Sequence, residues 1–186
     1  MTTVLFTACG NKSQTVHDEA AKQQEIDYTV DRFADIEVLR YEVPGFEALA
    51  LQQKQLLYHL SEAALMGRDI LFDQNCRYNL AIRRSLEAVY QEYKGDRNDA
   101  QFKALETYLK RVWLANGIHH HYAEDKFEPT GLTPEFFAEC IRQVDAARLP
   151  LREGQSVEQW LEEITPVIFD PKVMPKRTVQ SGEGDI

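Results

Sequence analysis

Apolar residues recur three and four positions apart along most of this chain, which is the spacing of one face of an α-helix. The longest such run extends from 49 to 66, with Leu56, Leu57 and Leu60 on one stripe, and Gly67 is expected to end it. The pattern therefore predicts a mainly helical protein. The predicted helices are 49–66, a restart over 69–72, 80–93, 102–113, 134–147 and 157–165.

Residues that favour helix ends delimit several of these runs. The pairs at 98 and 101 and at 156 and 159 have the spacing of a capping box, in which two side chains bond to the first backbone amides. Thr133 followed by Pro134 is typical of a helix start, and Asn116-Gly117 of a helix end. These signals predict a long loop over 118–131.

A strand is predicted nearer the N-terminus. Residues 36–43 alternate between apolar and polar, which suits one half-buried β-strand. The preceding stretch 15–35 favours a helix, with Ile26, Val30 and Phe33 on one face. The predicted fold class is therefore mainly α with a minor β component (α+β).

Prolines at 166, 171 and 175 predict an irregular C-terminal segment, because proline lacks the amide hydrogen that helices and sheets use. The apolar residues 167–169 and Val173 lie among these prolines, with no later segment to pack against. We therefore interpret the chain as the N-terminal piece of a longer protein. Its predicted divisions are a truncated signal or lipoprotein segment (1–14), a helical lobe segment (15–165) and a Pro/Gly-rich tail leading into a missing remainder (166–186).

Charge narrows the classes of function. The chain has 186 residues, with 30 acidic and 21 basic side chains and a net charge of −9. This excess of negative charge repels phosphate, which argues against non-specific binding to nucleic acid or to anionic lipid. No run of about eighteen apolar residues occurs, so no transmembrane segment is predicted.

The first residues have a second interpretation besides the start of a cytoplasmic protein. The segment Leu5-Phe6-Thr7-Ala8-Cys9 resembles the processing site of bacterial lipoproteins, in which the cysteine becomes the lipidated first residue. No Lys or Arg precedes this short apolar run, which departs from a complete signal. Both localisations stay open, a cytoplasmic protein or an extracytoplasmic lipoprotein of a bacterium, and Cys9 is the candidate lipid-attachment residue.

The histidine triplet at 119–121 is the most unusual chemical feature. Successive side chains in an extended loop point to opposite sides, so at most His119 and His121 share one metal ion. No third ligand, such as His59 or Cys140, lies at a recognised spacing from them. We therefore predict no metal ligand in this chain and expect the imidazoles to bond to backbone groups or carboxylates.

The sequence contains no chain-local catalytic motif: no G-x-S-x-G, no Gly-rich phosphate loop and no H-E-x-x-H. Cys140 lies at helical spacing from apolar residues, which predicts a buried thiol rather than a reactive one. The charges at 68–69 and 83–84 are expected to be solvated or to link helices. The residues themselves thus predict a helical scaffold without a catalytic centre.

Three segments resemble dipeptidyl peptidase III, a family of zinc exopeptidases that release dipeptides from the N-termini of oligopeptides. The most specific is 111–129, RVWLANGIHHHYAEDKFEP, whose NGIHHHY string is similar to the bacterial members. The other two are 57–70 and 72–79. The resemblance extends from about residue 26 to the end of the chain.

This resemblance implies a two-lobed metallopeptidase, of which the chain forms an incomplete lower lobe that is inactive alone. The family's zinc motif, H-E-x-x-G-H with a downstream glutamate, does not occur here, so zinc belongs to the full-length enzyme and this chain supplies no ligand and no catalytic residue. Tyr122 matches an aromatic residue that borders the substrate cleft, and is the candidate oligopeptide-binding residue; packing of the loop onto a helix is its alternative role. The alternative function is a non-catalytic helical lipoprotein or protein-interaction domain.

Overall fold

The computed structural model describes residues 27–177 of the chain. Within this range six α-helices are joined by loops, and two short strands form one antiparallel sheet. This confirms the mainly helical α+β composition. The elements are β1 (Thr29–Phe33), β2 (Ile36–Leu39), α1 (Leu51–Met66), α2 (Arg68–Asn75), α3 (Asn79–Glu92), α4 (Ala100–Ala115), α5 (Pro134–Gln143) and α6 (Val157–Phe169), with 3₁₀ turns at Phe46–Ala48 and Ala146–Arg148.

Helices α3 to α6 enclose the hydrophobic core. α3 packs against α4 and α5, and α5 packs against α6. Each of these helices buries one apolar face, because its large aliphatic and aromatic residues recur at helical spacing. The fully buried residues at the centre are Ile82 and Leu86 of α3, Leu105 and Leu109 of α4, Phe137 and Ile141 of α5, and Ile164 and Ile168 of α6.

Side-chain caps begin three of the helices. Thr133 caps α5 as predicted, and Ser156 and Gln159 form the predicted capping box of α6. The capping box predicted at 98 and 101 is wrong, because Asp99 caps α4 while the Gln101 side chain accepts hydrogen bonds from Thr133. Short polar side chains at these positions satisfy backbone amides that have no partner inside the helix.

The helix predicted over 15–35 is wrong where the structure describes that stretch. Residues 29–33 form β1, which pairs antiparallel with β2 through a two-residue turn at Ala34-Asp35. A segment with so few apolar residues has a weak helical pattern, and the hydrogen bonds offered by a neighbouring strand decide its conformation. The strand predicted at 36–43 is confirmed over 36–39, and residues 15–26 lie outside the described range.

The last helix continues past the point at which irregular structure is predicted. α6 contains Pro166 and ends at Phe169, and Val167 and Ile168 are buried in the core. The prediction that this segment lacks packing partners is therefore wrong: burial of its apolar side chains offsets the hydrogen bond that proline cannot donate. α5, by contrast, ends at Gln143 rather than at 147.

Helix α1 differs from the others because nothing in the described part of the chain covers it. Its bounds agree with the predicted ones to within two residues, but every residue of α1 is exposed apart from the half-buried Lys54. The apolar stripe predicted there does not face the core. No helix between residues 27 and 177 combines the length and the apolar content that crossing a lipid bilayer requires.

Candidate functional site

The histidine loop, which we define as residues 118–131, joins α4 to α5 and folds back on itself. The Phe127 N–H donates to the Ile118 carbonyl over 2.8 Å, and the His120 N–H donates to the Asp125 carbonyl over 2.8 Å. Glu124 lies in the left-handed backbone region, with φ 64°, where the loop turns. These bonds order the segment without a helix, which confirms the loop predicted here.

Asn79 of α3 holds the base of the histidine loop. Its side chain is fully buried, and its Oδ1 atom accepts the Ile118 N–H over 3.0 Å. Gly117 lies so close to this side chain that a β-carbon at 117 would be 2.2 Å from Asn79 Nδ2. The absence of a side chain at 117 therefore lets the loop leave α4 directly against α3.

His119 is the buried member of the triplet. Its Nε2–H donates to the Met174 carbonyl over 2.8 Å, while its Nδ1 atom has no hydrogen-bond partner among residues 27–177. Burial lowers the pKa of this imidazole, because the charged ring loses its hydration, and the ring is neutral at pH 7. The bond to Met174 fastens the segment after α6 to the loop and confirms that a histidine of the triplet bonds to the backbone.

Lys126 makes a second connection between the loop and the end of α6. Its Nζ atom donates to the carbonyls of Val167 over 3.0 Å and Val173 over 2.6 Å, and also to the carbonyl of Asp170. The last carbonyls of a helix have no partner inside it, and a cation near that end is favourable. Burial lowers the pKa of Lys126, although the Asp170 carboxylate opposes that shift.

His120 has a defined tautomer. Its Nδ1 atom accepts the backbone N–H groups of Tyr122 over 3.2 Å and of Ala123 over 3.0 Å. A ring nitrogen that accepts carries no hydrogen, so the neutral ring bears its proton on Nε2. The His121 ring stacks on the His120 ring with centroids 4.9 Å apart. The Tyr122 ring is tilted by 47° against the His121 ring, with centroids 4.2 Å apart.

Tyr122 is 84% exposed, next to the rings of His120 and His121. The alternative role of Tyr122, packing the loop onto a helix, is therefore wrong. Substrate contact stays a prediction, with the side chain in a position that solvent and ligands can reach.

Asn79 and Lys126 are the two residues of this site that the sequence does not single out. An asparagine at a helix start and a lysine in a polar loop are both common, and neither carries a sequence signal for burial. Asn79 contacts a residue 39 positions away in the chain, and Lys126 contacts residues 41 to 47 positions away. Their roles depend on these distant contacts.

The other polar predictions concern thiols and charges. Cys140 is buried as predicted, and burial raises the pKa of its thiol to about 11. Asp69 of α2 forms salt bridges with Arg83 and Arg84 of α3, at 2.8 and 3.0 Å, which confirms that these charges link helices. Arg83 itself is buried against the Phe72 ring. These groups therefore hold the scaffold together.

No three side chains among the His, Cys, Asp and Glu of 27–177 are grouped as ligands. Of the pair that the sequence allows, the His119 ring is bonded to the Met174 carbonyl and the His121 ring stacks on the His120 ring. Cys9, the candidate lipid-attachment residue, lies outside the described residues.

Comparison of the sequence with protein-family models gives no match, and comparison with curated proteins gives none. The likeness to dipeptidyl peptidase III thus rests on the motifs quoted above.

Proposed function

We propose that this chain is the N-terminal part of a dipeptidyl peptidase III-like zinc exopeptidase, in which it forms part of the lower lobe and one wall of the substrate cleft. The observation that carries this proposal is the histidine loop, which holds Tyr122 exposed on an anchored backbone. The chain is inactive alone, because the zinc motif of that family does not occur in it.

The loop has the rigidity that a cleft wall needs. Asn79 fixes its base from α3, Lys126 ties it to the end of α6, and His119 binds the segment after α6. Three anchors from different parts of the chain leave the loop little freedom to move. A binding surface ordered in advance loses less conformational entropy when the ligand binds.

Tyr122 suits a subsite that accepts many side chains. An aromatic ring offers apolar contact that does not depend on one hydrogen-bond pattern, which is what an exopeptidase with varied substrates uses. The neighbouring rings of His120 and His121 extend the same surface. The oligopeptide is therefore the substrate that this surface fits.

Helix α1 supports a place inside a larger protein. Leu56, Leu57 and Leu60 lie on one side of α1, and apolar residues lie on the opposite side as well: Leu51, Tyr58 and Leu65. A helix that is apolar on two opposite sides is typical of a protein interior with layers on both sides. The described residues provide neither layer, and a remainder of the enzyme would.

The test is steady-state kinetics of the full-length enzyme on a dipeptidyl-naphthylamide. Tyr122→Ala should raise KM by losing about 1–3 kcal/mol of apolar contact, with kcat nearly unchanged, because a cleft wall holds ground and transition states about equally. Tyr122→Phe should restore KM. Tyr41→Ala is the matched control, since Tyr41 is 81% exposed and lies far along the chain from the loop. A lower melting temperature of Tyr122→Ala with unchanged KM would contradict the assignment.

The second candidate function, a helical lipoprotein or interaction domain without catalysis, draws on the same exposed α1 helix. The reading frame downstream of Ile186 separates the two candidates. An H-E-x-x-G-H a few hundred residues on favours the enzyme. A stop codon directly after Ile186 favours the interaction domain.

A further inference from the structure

A cavity of about 410 Å³ lies between the hairpin turn, α4 and the histidine loop. Its lining includes Ala34 of the turn, Arg111 and Tyr108 of α4, and His120 and Phe127 of the loop. This volume is within the range of small-molecule sites, about 300–1,000 Å³. Tyr122 does not line this cavity, although His120 belongs both to its lining and to the rings next to Tyr122.

Arg111 and His120 supply hydrogen-bond donors to this cavity. The Arg111 guanidinium lies 5.4 Å from the centroid of the Phe127 ring, and its only hydrogen-bond partner within 27–177 is the Asp35 carboxylate. His120 carries its proton on Nε2, as its Nδ1 contacts require, and Nε2 has no partner in the described residues. A guanidinium and an imidazole N–H that line the same cavity can both donate hydrogen bonds to a carboxylate inside it.

Asp35 occupies one member of that donor set, the Arg111 guanidinium, from a weakly held element. The pKa of the Asp35 carboxyl lies below its ordinary value because its own backbone N–H, the Arg111 guanidinium and the His120 ring favour the carboxylate. No residue of β1 or β2 is buried, and the other charged contact between the hairpin and α4 is the Asp31–Lys110 salt bridge at 2.8 Å. Exposed ion pairs contribute little to stability.

The turn that carries Asp35 is also strained. Ala34 has φ 49°, in the left-handed region that glycine and asparagine prefer. Such strain persists only where surrounding contacts impose it, and it is concentrated at ligand clamps and switch regions. Opening of the hairpin would release this strain and free Arg111 together.

We propose that this cavity binds a small zwitterionic carboxylate, such as an amino acid or a short peptide, with its carboxylate on Arg111 and His120 in place of Asp35. The lining also contains Asp125, Glu128 and Lys126, and the Lys126 ammonium is already bonded to three backbone carbonyls at the end of α6. The Asp125 and Glu128 carboxylates disfavour a bare polyanion such as phosphate and attract an ammonium group on the same ligand. Asp35 is therefore an internal competitor that the ligand displaces.

The test is NMR titration of the isotope-labelled chain with glycylglycine, following the Arg111 Nε–H and His120 ring signals. Both signals should shift and saturate. Glycylglycinamide, which lacks the carboxylate, should leave them unchanged, and acetate and phosphate should bind more weakly than glycylglycine. Equal binding of glycylglycinamide overturns the carboxylate site, and equal binding of acetate or phosphate overturns the zwitterion.

Variants test the role of Asp35. If the Asp35–Arg111 pair is formed about nine-tenths of the time, about one molecule in ten is free to bind the ligand. Asp35→Asn should then tighten glycylglycine binding about tenfold. Asp31→Asn, the matched control, loosens the same hairpin but leaves Arg111 paired and should change the affinity little. Arg111→Lys should bind weakly and Arg111→Gln not at all, with circular dichroism confirming that each variant folds. Equal gains from Asp31→Asn and Asp35→Asn, or retained binding by Arg111→Gln, overturn the proposal.

Discussion

Gly117→Ala tests how the histidine loop is anchored. A β-carbon at 117 would lie 2.2 Å from Asn79 Nδ2 and 2.6 Å from Asn79 Cγ. Favourable contacts between such atoms are about 3.5–4.0 Å, so one of the two segments must move by about 1 Å. Asn79 has no free space to enter, because it is fully buried and its Oδ1 atom holds the Ile118 N–H.

The magnitude follows from these two constraints and from the backbone at 117, whose φ of 155° is one that side chains rarely adopt. Overpacking of a buried site costs about 1–3 kcal/mol. Displacing the Asn79 amide also leaves the Ile118 N–H unpaired, which costs about 1–3 kcal/mol more. We expect Gly117→Ala to lower the free energy of unfolding by about 2–4 kcal/mol, since relaxation relieves part of the sum, and the melting temperature by roughly 4–16 °C.

A double-mutant cycle with Asn79→Ala isolates the collision. Asn79→Ala alone should cost about 1–3 kcal/mol, and in the double variant the new β-carbon enters the space that the amide leaves. The double variant should therefore be more stable than the sum of the single effects by about 1–2 kcal/mol. Gly67→Ala is the control, because its β-carbon meets nothing closer than 3.7 Å on right-handed backbone, and it should be neutral or slightly stabilising.

Urea unfolding followed by circular dichroism measures all four variants. Hydrogen exchange of residues 118–127 should accelerate in Gly117→Ala and stay slow in Gly67→Ala. Strictly additive effects of Gly117→Ala and Asn79→Ala would refute the collision as the cause.

Three further predictions concern other residues of the same region. Lys126→Met should lower the free energy of unfolding by about 1–3 kcal/mol and speed hydrogen exchange over 170–177, because three carbonyls lose a charged donor. Unchanged exchange over 170–177 would contradict the connection that Lys126 makes between the histidine loop and the end of α6. The pKa of His119 is lowered in the folded protein and is about 6.5 in the unfolded chain, so the contribution of its neutral ring to stability is present above pH 6.5 and is lost as the pH falls. Between pH 7 and pH 5, the free energy of unfolding measured with urea should therefore fall less for His119→Gln than for the wild type. An equal fall in both proteins would refute this. Cys140 should resist iodoacetamide at pH 8 until the chain unfolds, as peptide mapping would show, and modification in the folded state would contradict its burial.

The sequence alone determines the helices of the core and several of their ends. The repeated apolar positions of α3 and α4 are sufficient, because a helix buries one face and its period is visible in a single segment. The caps at Thr133 and Ser156 are likewise local, since each side chain bonds within three residues of itself. The histidine loop is also predictable from local sequence. A helix-end signal precedes it, a helix-start signal follows it, and the residues between have no helical period.

Tertiary structure decides what depends on distant partners. Residues 29–33 become a strand because β2 is beside them, and α6 passes Pro166 because the core receives Val167 and Ile168. The sequence shows Tyr122 as an aromatic residue in a loop, but not that it is exposed.

The same reason governs the anchors of the site. Asn79 and Lys126 have ordinary local surroundings in the sequence, and the histidine triplet does not show which of its rings is buried. The partners of Asn79, His119 and Lys126 lie 39 or more positions away. A hydrogen bond between distant segments leaves no periodicity in either one. Burial of these polar groups, which gives them their role, is a property of the folded arrangement of α3, α4 and α6, and only the three-dimensional structure contains it.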